Sequence, residues 1–172
     1  MKIAVLGYAG AGKSTLARAL GEWYAIPVLH LDTVQFTPGW QERDREEAQR
    51  MVHAFMENPE WVIDGTYSKF EYERRMKEAD QIIFLNFSRF TCFFRALRRY
   101  RTFRGKHRPD MADGCNEKMD LEFVWWLLWA GRTRKKREKF QRILDTYPEK
   151  AVALKNQREL DRYLAELEAN GL

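Results

Sequence analysis

Apolar residues in this chain fall into short runs, separated by stretches where they recur every three or four positions. Ile3-Ala4-Val5-Leu6 is the first run, and residues 2–6 read as a strand. Leu16, Ala17 and Leu20 then recur at helical spacing, which predicts a helix over Lys13–Tyr24, broken by Ala25-Ile26-Pro27. Residues 28–31 read as a second strand, followed by a Thr37-Pro38-Gly39 turn. Ala48, Met51, Val52 and Phe55 predict an amphipathic helix over 42–57, ended by Asn58-Pro59. A third strand at 61–63 runs into Asp64-Gly65. Residues 69–78 read as helix, 82–87 as a fourth strand and 90–101 as helix. Gly105, Pro109 and Gly114 make 102–116 irregular. A long helix is expected over 117–146, then a last strand at Ala151–Leu154. Asn156 and Glu159 form a cap pair for a final helix whose apolar face is Leu160, Tyr163, Leu164 and Leu167, with Gly171 past its end.

Alternating strands and helices predict an α/β fold, with a parallel sheet covered by helices on both faces. In such sheets ligands sit at the carboxyl ends of the strands. That rim would receive residues 7–14, Asp32, Asp64 and Ser88-Arg89 from the ends of the first four strands.

The segment after the first run sharpens the picture. Gly7-Tyr8-Ala9-Gly10-Ala11-Gly12-Lys13-Ser14, followed by Thr15, is a complete G-x-x-x-x-G-K-[ST] phosphate-binding loop between a strand and a helix. Its glycines let the backbone turn N–H groups onto a phosphate, and the helix adds the positive end of its dipole. Lys13 would reach the β- and γ-phosphates, and the Ser14 hydroxyl would sit on Mg²⁺. Asp64, ending an apolar strand before Gly65, has the character of the acid that stands near Mg²⁺ in such sites. Asp32 in His30-Leu31-Asp32 would orient metal-bound water or take a proton from an acceptor hydroxyl; the plain alternative is a turn or cap. His30 is expected to be packed in its strand.

The 172 residues fit one domain, with a hydrophobic fraction of 45%. Met1 leads into the first strand, no apolar stretch reaches the ~20 residues of a membrane helix, and Cys92 and Cys115 make no C-x-x-C pair. A reduced, cytoplasmic protein is expected. The net charge of +5 is unevenly spread. Between 81 and 109 there is no acid, yet Arg89, Arg95, Arg98, Arg99, Arg101, Arg104, Lys106 and Arg108 all fall there. Arg132-Thr133-Arg134-Lys135-Lys136-Arg137 is a second basic cluster. Such clusters imply a polyanionic ligand, nucleotide or nucleic acid. Arginines closing over phosphates position the transferring group and exclude water, and Arg95, Arg99 and Arg132 are candidates for that role, with Arg104 and Arg108 as nucleotide contacts. If 102–116 is a short lid, Arg132 and Arg134 face back towards the same pocket. Trp125, Trp126 and Trp129, with Phe123, Leu127 and Leu128, read as a buried apolar helix; the other reading is a stacking surface for single-stranded nucleic acid. Trp40 and Trp61 read as core or pocket wall.

Taken together, the loop 7–15, His30-Leu31-Asp32, Pro38-Gly39-Trp40, the segment 61–67, and Arg108-Pro109-Asp110-Met111 with Gly114-Cys115 resemble the bacterial DNA topology modulation proteins of the FlaR type. These are relatives of adenylate kinase. The resemblance implies a P-loop nucleotide-kinase-like three-layer sandwich with sheet order 2-3-1-4-5. It also implies an acceptor-binding region about 33–60, a short lid about 102–116, and ATP with Mg²⁺. The sequence departs from adenylate kinases after Asp64-Gly65, where Thr66-Tyr67-Ser68 replaces Phe-Pro-Arg, whose arginine holds the acceptor phosphate. Arg74 or Arg75 would be the substitute. No N-K-x-D stretch for guanine is present, which favours ATP. Two functions stay open: an ATP-dependent small-molecule kinase of the nucleoside-monophosphate-kinase type, and a nucleic-acid-associated regulator using ATP as a switch. An ATP-binding protein with vestigial chemistry is the remaining possibility.

Overall fold

The computed structural model describes residues 1–103 and 119–169. Five parallel strands form the sheet: β1 (Lys2–Gly7), β2 (Val28–His30), β5 (Trp61–Asp64), β6 (Gln81–Leu85) and β7 (Ala151–Leu154). The spatial order is β2-β5-β1-β6-β7. Two further strands, β3 (Phe36–Thr37) and β4 (Gln41–Glu42), pair only with each other. Counted without that hairpin, the five run 2-3-1-4-5, as expected.

Side chains along a strand point alternately to opposite faces. Ile3, Ala4, Val5 and Leu6 are all fully buried, as are Trp61, Val62 and Ile63, so both faces of the sheet are covered. Among the described residues eight α-helices do the covering and the connecting: α1 (Lys13–Tyr24), α2 (Leu31–Gln35), α3 (Arg45–Met56), α4 (Tyr72–Glu78), α5 (Arg89–Phe103), α6 (Leu121–Leu128), α7 (Arg134–Thr146) and α8 (Gln157–Ala169). Val5 lies opposite Asp64 and Ile83, and His30 opposite Asp64, so the strand ends share one rim.

Local chemistry explains the element ends. Asp44 caps α3 by accepting from the Glu47 N–H at 2.9 Å. The Asn156–Glu159 cap pair ahead of α8 is present in both directions, at 3.0 and 2.8 Å. Among the described residues no helix is long and apolar enough to cross a membrane.

Three expectations are corrected. The second strand stops at His30, and Asp32 stands in the first turn of α2 instead of at a strand end. The single helix over 117–146 is broken: α6 ends at Leu128, a 3-10 turn spans Ala130–Arg132, and Thr133 starts α7 by accepting from the Lys136 N–H. Gly131 permits the break, since a Cβ there would lie 2.7 Å from the Trp126 carbonyl oxygen. The tryptophans of α6 are not core. Trp125, Trp126 and Trp129 are 60%, 40% and 49% exposed, and only Leu127 of that helix is buried. Of the two tryptophans expected in core or pocket wall, Trp61 is fully buried and Trp40 lines the cleft described below. Residues 102 and 103, expected to be irregular, close α5; the rest of the expected lid, with Arg104, Lys106 and Arg108, and Gly171 lie outside the described residues.

Candidate active site

A cleft of about 1570 Å³ opens on the rim of the sheet. Ordinary small-molecule pockets run to roughly 300–1,000 Å³, so this one has room for two ligands. Gly7, Tyr8, Ala9, Gly10, Gly12, Lys13, Ser14 and Thr15 line one part of it.

The loop is held from behind by α5. Gly10 has φ +74°, and a Cβ there would lie 2.4 Å from the Cys92 carbonyl oxygen, so only glycine fits. Arg95 donates from Nη1 to the Ala11 carbonyl at 2.7 Å, donates from Nη2 to Gln157, and lies 4.5 Å over the Phe87 ring. Burial lowers its pKa. Its donors therefore tie the loop to α5 and α8. Ala11 is buried behind the loop, whereas Lys13 Nζ reaches the Tyr8 carbonyl at 3.4 Å from inside the cleft.

Arg132 stands over the loop from the 3-10 turn. Its guanidinium carbon is 3.9 Å from the centroid of the Tyr8 ring, and Nη2 donates to Cys92 Sγ at 3.0 Å. Its Nε is buried without a hydrogen-bond partner among the described residues. Burial lowers the Arg132 pKa, and it raises those of the Cys92 thiol and the Tyr8 phenol. Arg132 is not among the residues that line the cleft, whereas Arg98 and Arg99 are. Arg134, in contrast, is 88% exposed and pairs with Glu138 at 2.6 Å. Ser88 caps α5, accepting from the Thr91 N–H at 3.1 Å, and Arg89 begins that helix in solvent.

The opposite part of the cleft is lined by Asp32, Phe36, Trp40, Gly65, Thr66, Tyr67 and Ser68. Tyr67 donates its hydroxyl to Asp32 Oδ1 at 2.6 Å. Burial and the Asp32 charge drive the Tyr67 pKa far above that of a free phenol, so its proton stays in that bond. Asp64 is 3% exposed and sits just below the rim. Its Oδ1 meets His30 Nδ1 at 3.0 Å, and the tautomer with its proton on Nδ1 donates there. His30 is partly buried at the end of its strand and adds this bond to its packing.

Arg74 and Arg75 do not replace the missing acceptor arginine. Arg74 pairs with Glu57 at 2.8 Å and Glu78 at 2.6 Å. Arg75 is fully buried and donates to three carbonyls: Phe70 at 2.8 Å, Gly65 at 3.1 Å and Tyr67 at 2.8 Å. It clamps the segment after β5. Sequence reasoning also missed Lys139 and Arg142 of α7, which line the cleft near Ser68.

Solved structures offer parallels to this geometry. The chain is similar to shikimate kinase from Bacteroides thetaiotaomicron, at 18% identity and TM-score 0.50, covering 100% of this chain and 99% of that one. It is similar to deoxyadenosine kinase from M. mycoides with bound dATP, at 16% identity and TM-score 0.53, covering 98% and 99%. TT1252 from Thermus thermophilus matches at 16% identity and TM-score 0.54, covering 99% and 97%. The fold is that of the P-loop kinases. No protein-family model matches the chain, and no curated protein does.

The oxygen donors in this part of the site suit Mg²⁺. Asp64 keeps one oxygen beyond its bond to His30, and Ser14 offers a hydroxyl in the cleft. Mg²⁺ takes one or two protein oxygens and fills its octahedron with phosphate and water.

Proposed function

We propose that the chain is an ATP-dependent phosphotransferase acting on a small-molecule acceptor, and that the acceptor group is a hydroxyl. The observation that carries this is Asp32. It lines the cleft with a neutral phenol, Tyr67, as its partner, and it has no cationic partner among the described residues. An uncompensated carboxylate repels an acceptor phosphate and attracts a hydroxyl proton.

The reaction follows from that arrangement. The amides of residues 7–14 and Lys13 cradle the β- and γ-phosphates. Ser14 and, through water, Asp64 aimed by His30 would hold Mg²⁺, which would supply neutralising positive charge at the phosphates. Asp32 takes the proton as the acceptor oxygen attacks the γ-phosphorus. The bond to the β-phosphate oxygen breaks, and ADP and the phosphate ester leave. Arg99, in the cleft lining, steadies the charge on the transferring group, and Arg132 backs the loop through Tyr8 and Cys92. Arg95 acts one step back, fixing the loop through Ala11. Arg104 and Arg108, outside the described residues, remain proposed nucleotide contacts.

The test is acceptor-dependent ADP formation across a panel of small alcohols with MgATP. Asp32→Asn lowers kcat with the true acceptor by about 10²–10⁴-fold, the usual contribution of general acid–base catalysis, without changing the circular dichroism. A loss below tenfold leaves Asp32 a positioning group.

A second reading has one observation in its favour. The Trp125 and Trp129 rings are exposed and stacked at 4.9 Å, and Lys136 lies 5.0 Å over Trp126. Aromatic faces beside cations bind single-stranded nucleic acid. Such binding would weaken steeply with salt. ATP turnover that needs DNA and no small acceptor would favour it.

A further inference from the structure

The cleft carries a second polar cluster that the reaction above leaves unused. Lys139 and Arg142 come from α7, and Ser68 from the segment after β5. Lys139 donates from Nζ to Ser68 Oγ at 2.7 Å and lies 3.5 Å from the centroid of the Tyr72 ring. Its charged neighbours are Arg75 and Arg142. Neither Lys139 nor Arg142 forms an ion pair among the described residues. Arg75 is already committed, with each guanidinium nitrogen on a backbone carbonyl. Tyr72 is a phenol held up at about 12 by burial, so it supplies no negative charge near neutral pH.

Asp64 and Glu71 act on Arg75, but the charged groups that act on Lys139 are both cations, so positive charge gathers at that end of the wall. Its cost is visible at Lys139, whose pKa is lowered to about 8, first by burial and then by the two arginines. A half-buried ammonium with cations for neighbours is stabilised by an anion from outside. Asp32, bonded to Tyr67, supplies the opposite sign elsewhere in the same cleft. Tyr67 and Ser68 are consecutive, so their Cα atoms are about 3.8 Å apart, and the Arg75 clamp fixes the backbone that carries both. A molecule that is anionic at one end and a neutral alcohol at the other is oriented by the two charges, since the reversed pose sets like charges together.

We propose that the acceptor is itself an anion, carrying a carboxylate or a phosphate ester, which Lys139 holds with Arg142 and the Ser68 hydroxyl while the acceptor hydroxyl meets Asp32. The acceptor's role rests on the phosphotransferase reading; the anion site rests on the cluster alone.

Direct binding separates the two. The full chain is saturated with a non-hydrolysable ATP analogue and Mg²⁺, so that the phosphate-binding loop is filled. It is then titrated calorimetrically with inorganic phosphate and, separately, with acetate. At least one anion binds, and the tighter one identifies the ester or the carboxylate class. Lys139→Met weakens that binding by about ten- to a hundredfold, the usual worth of a charged hydrogen bond, and Lys139→Arg restores it to within about threefold. Equal affinity in wild type and Lys139→Met overturns the proposal, and so does the absence of binding by either anion. In turnover the Met variant raises KM for the anionic acceptor and leaves kcat within a few-fold. Lys139-dependent anion binding with no transfer to any acceptor would sink the phosphotransferase reading and leave the anion site standing.

Discussion

Asp64 shows how much one side chain here depends on its neighbour. It is almost wholly buried, and a buried carboxylate is stable only with a donor, which His30 supplies at 3.0 Å. If Asp64 acts on Mg²⁺ through water, Asp64→Asn weakens Mg²⁺-dependent nucleotide binding by about tenfold or more, the scale of outer-shell effects at metal sites. Binding without Mg²⁺ changes little, because the loop amides remain. Calorimetry with and without the metal reads the difference, and equal losses would make Asp64 structural. The phosphate-binding loop was legible in the sequence because its chemistry needs consecutive residues at fixed spacing. The partners of the acids were not. His30–Asp64, Tyr67–Asp32 and Lys139–Ser68 join positions 34, 35 and 71 apart, and only the folded sheet brings them together.

Among elements, the segment from β5 to α4 does the most to shape the acceptor side. Gly65, Thr66, Tyr67 and Ser68 present the cleft wall, and Arg75 reaches back from α4 to hold three of that segment's carbonyls. Its burial lowers its pKa to about 10, the desolvation cost of a guanidinium paired with dipoles in place of a carboxylate. Arg75→Met strands those carbonyls. It lowers stability by about 3–5 kcal/mol, the scale of breaking a buried charged interaction, in urea or thermal unfolding. A variant as stable as wild type that has lost only acceptor affinity would return Arg75 to the ligand-binding role the sequence allowed it. Helix periodicity placed α1, α3 and α8 to within three residues, since each buries one face. The same signal misled over 117–146. A dense apolar run reads as core whichever way it faces, but Gly131 and the Thr133 cap break the helix and leave three tryptophans in solvent.

At the scale of the molecule, parallel strands with both faces covered gather the loop, Asp32 and the β5 segment on one rim, and strand alternation alone was enough to expect that. What the pattern could not show is the division of charge around the cleft. The cleft wall carries cations at Arg98, Arg99 and Lys139 and acids at Asp32, Asp120 and Glu122, and of these acids Asp32 is the one bonded to a neutral phenol. On the proposed reading that division separates phosphate transfer from simple hydrolysis or switching: cations would hold the γ-phosphate while Asp32 would take the proton of a hydroxyl. ATP labelled in its γ-phosphate tests this most directly. With a hydroxyl acceptor that carries an anion, wild-type protein is predicted to place the label on the acceptor. Lys13→Ala is predicted to abolish the transfer while keeping the circular dichroism and melting of the wild type, because Lys13 lies in the cleft and not in the core. Label recovered only as inorganic phosphate, or transfer that survives Lys13→Ala, would contradict a phosphotransferase built on this cleft.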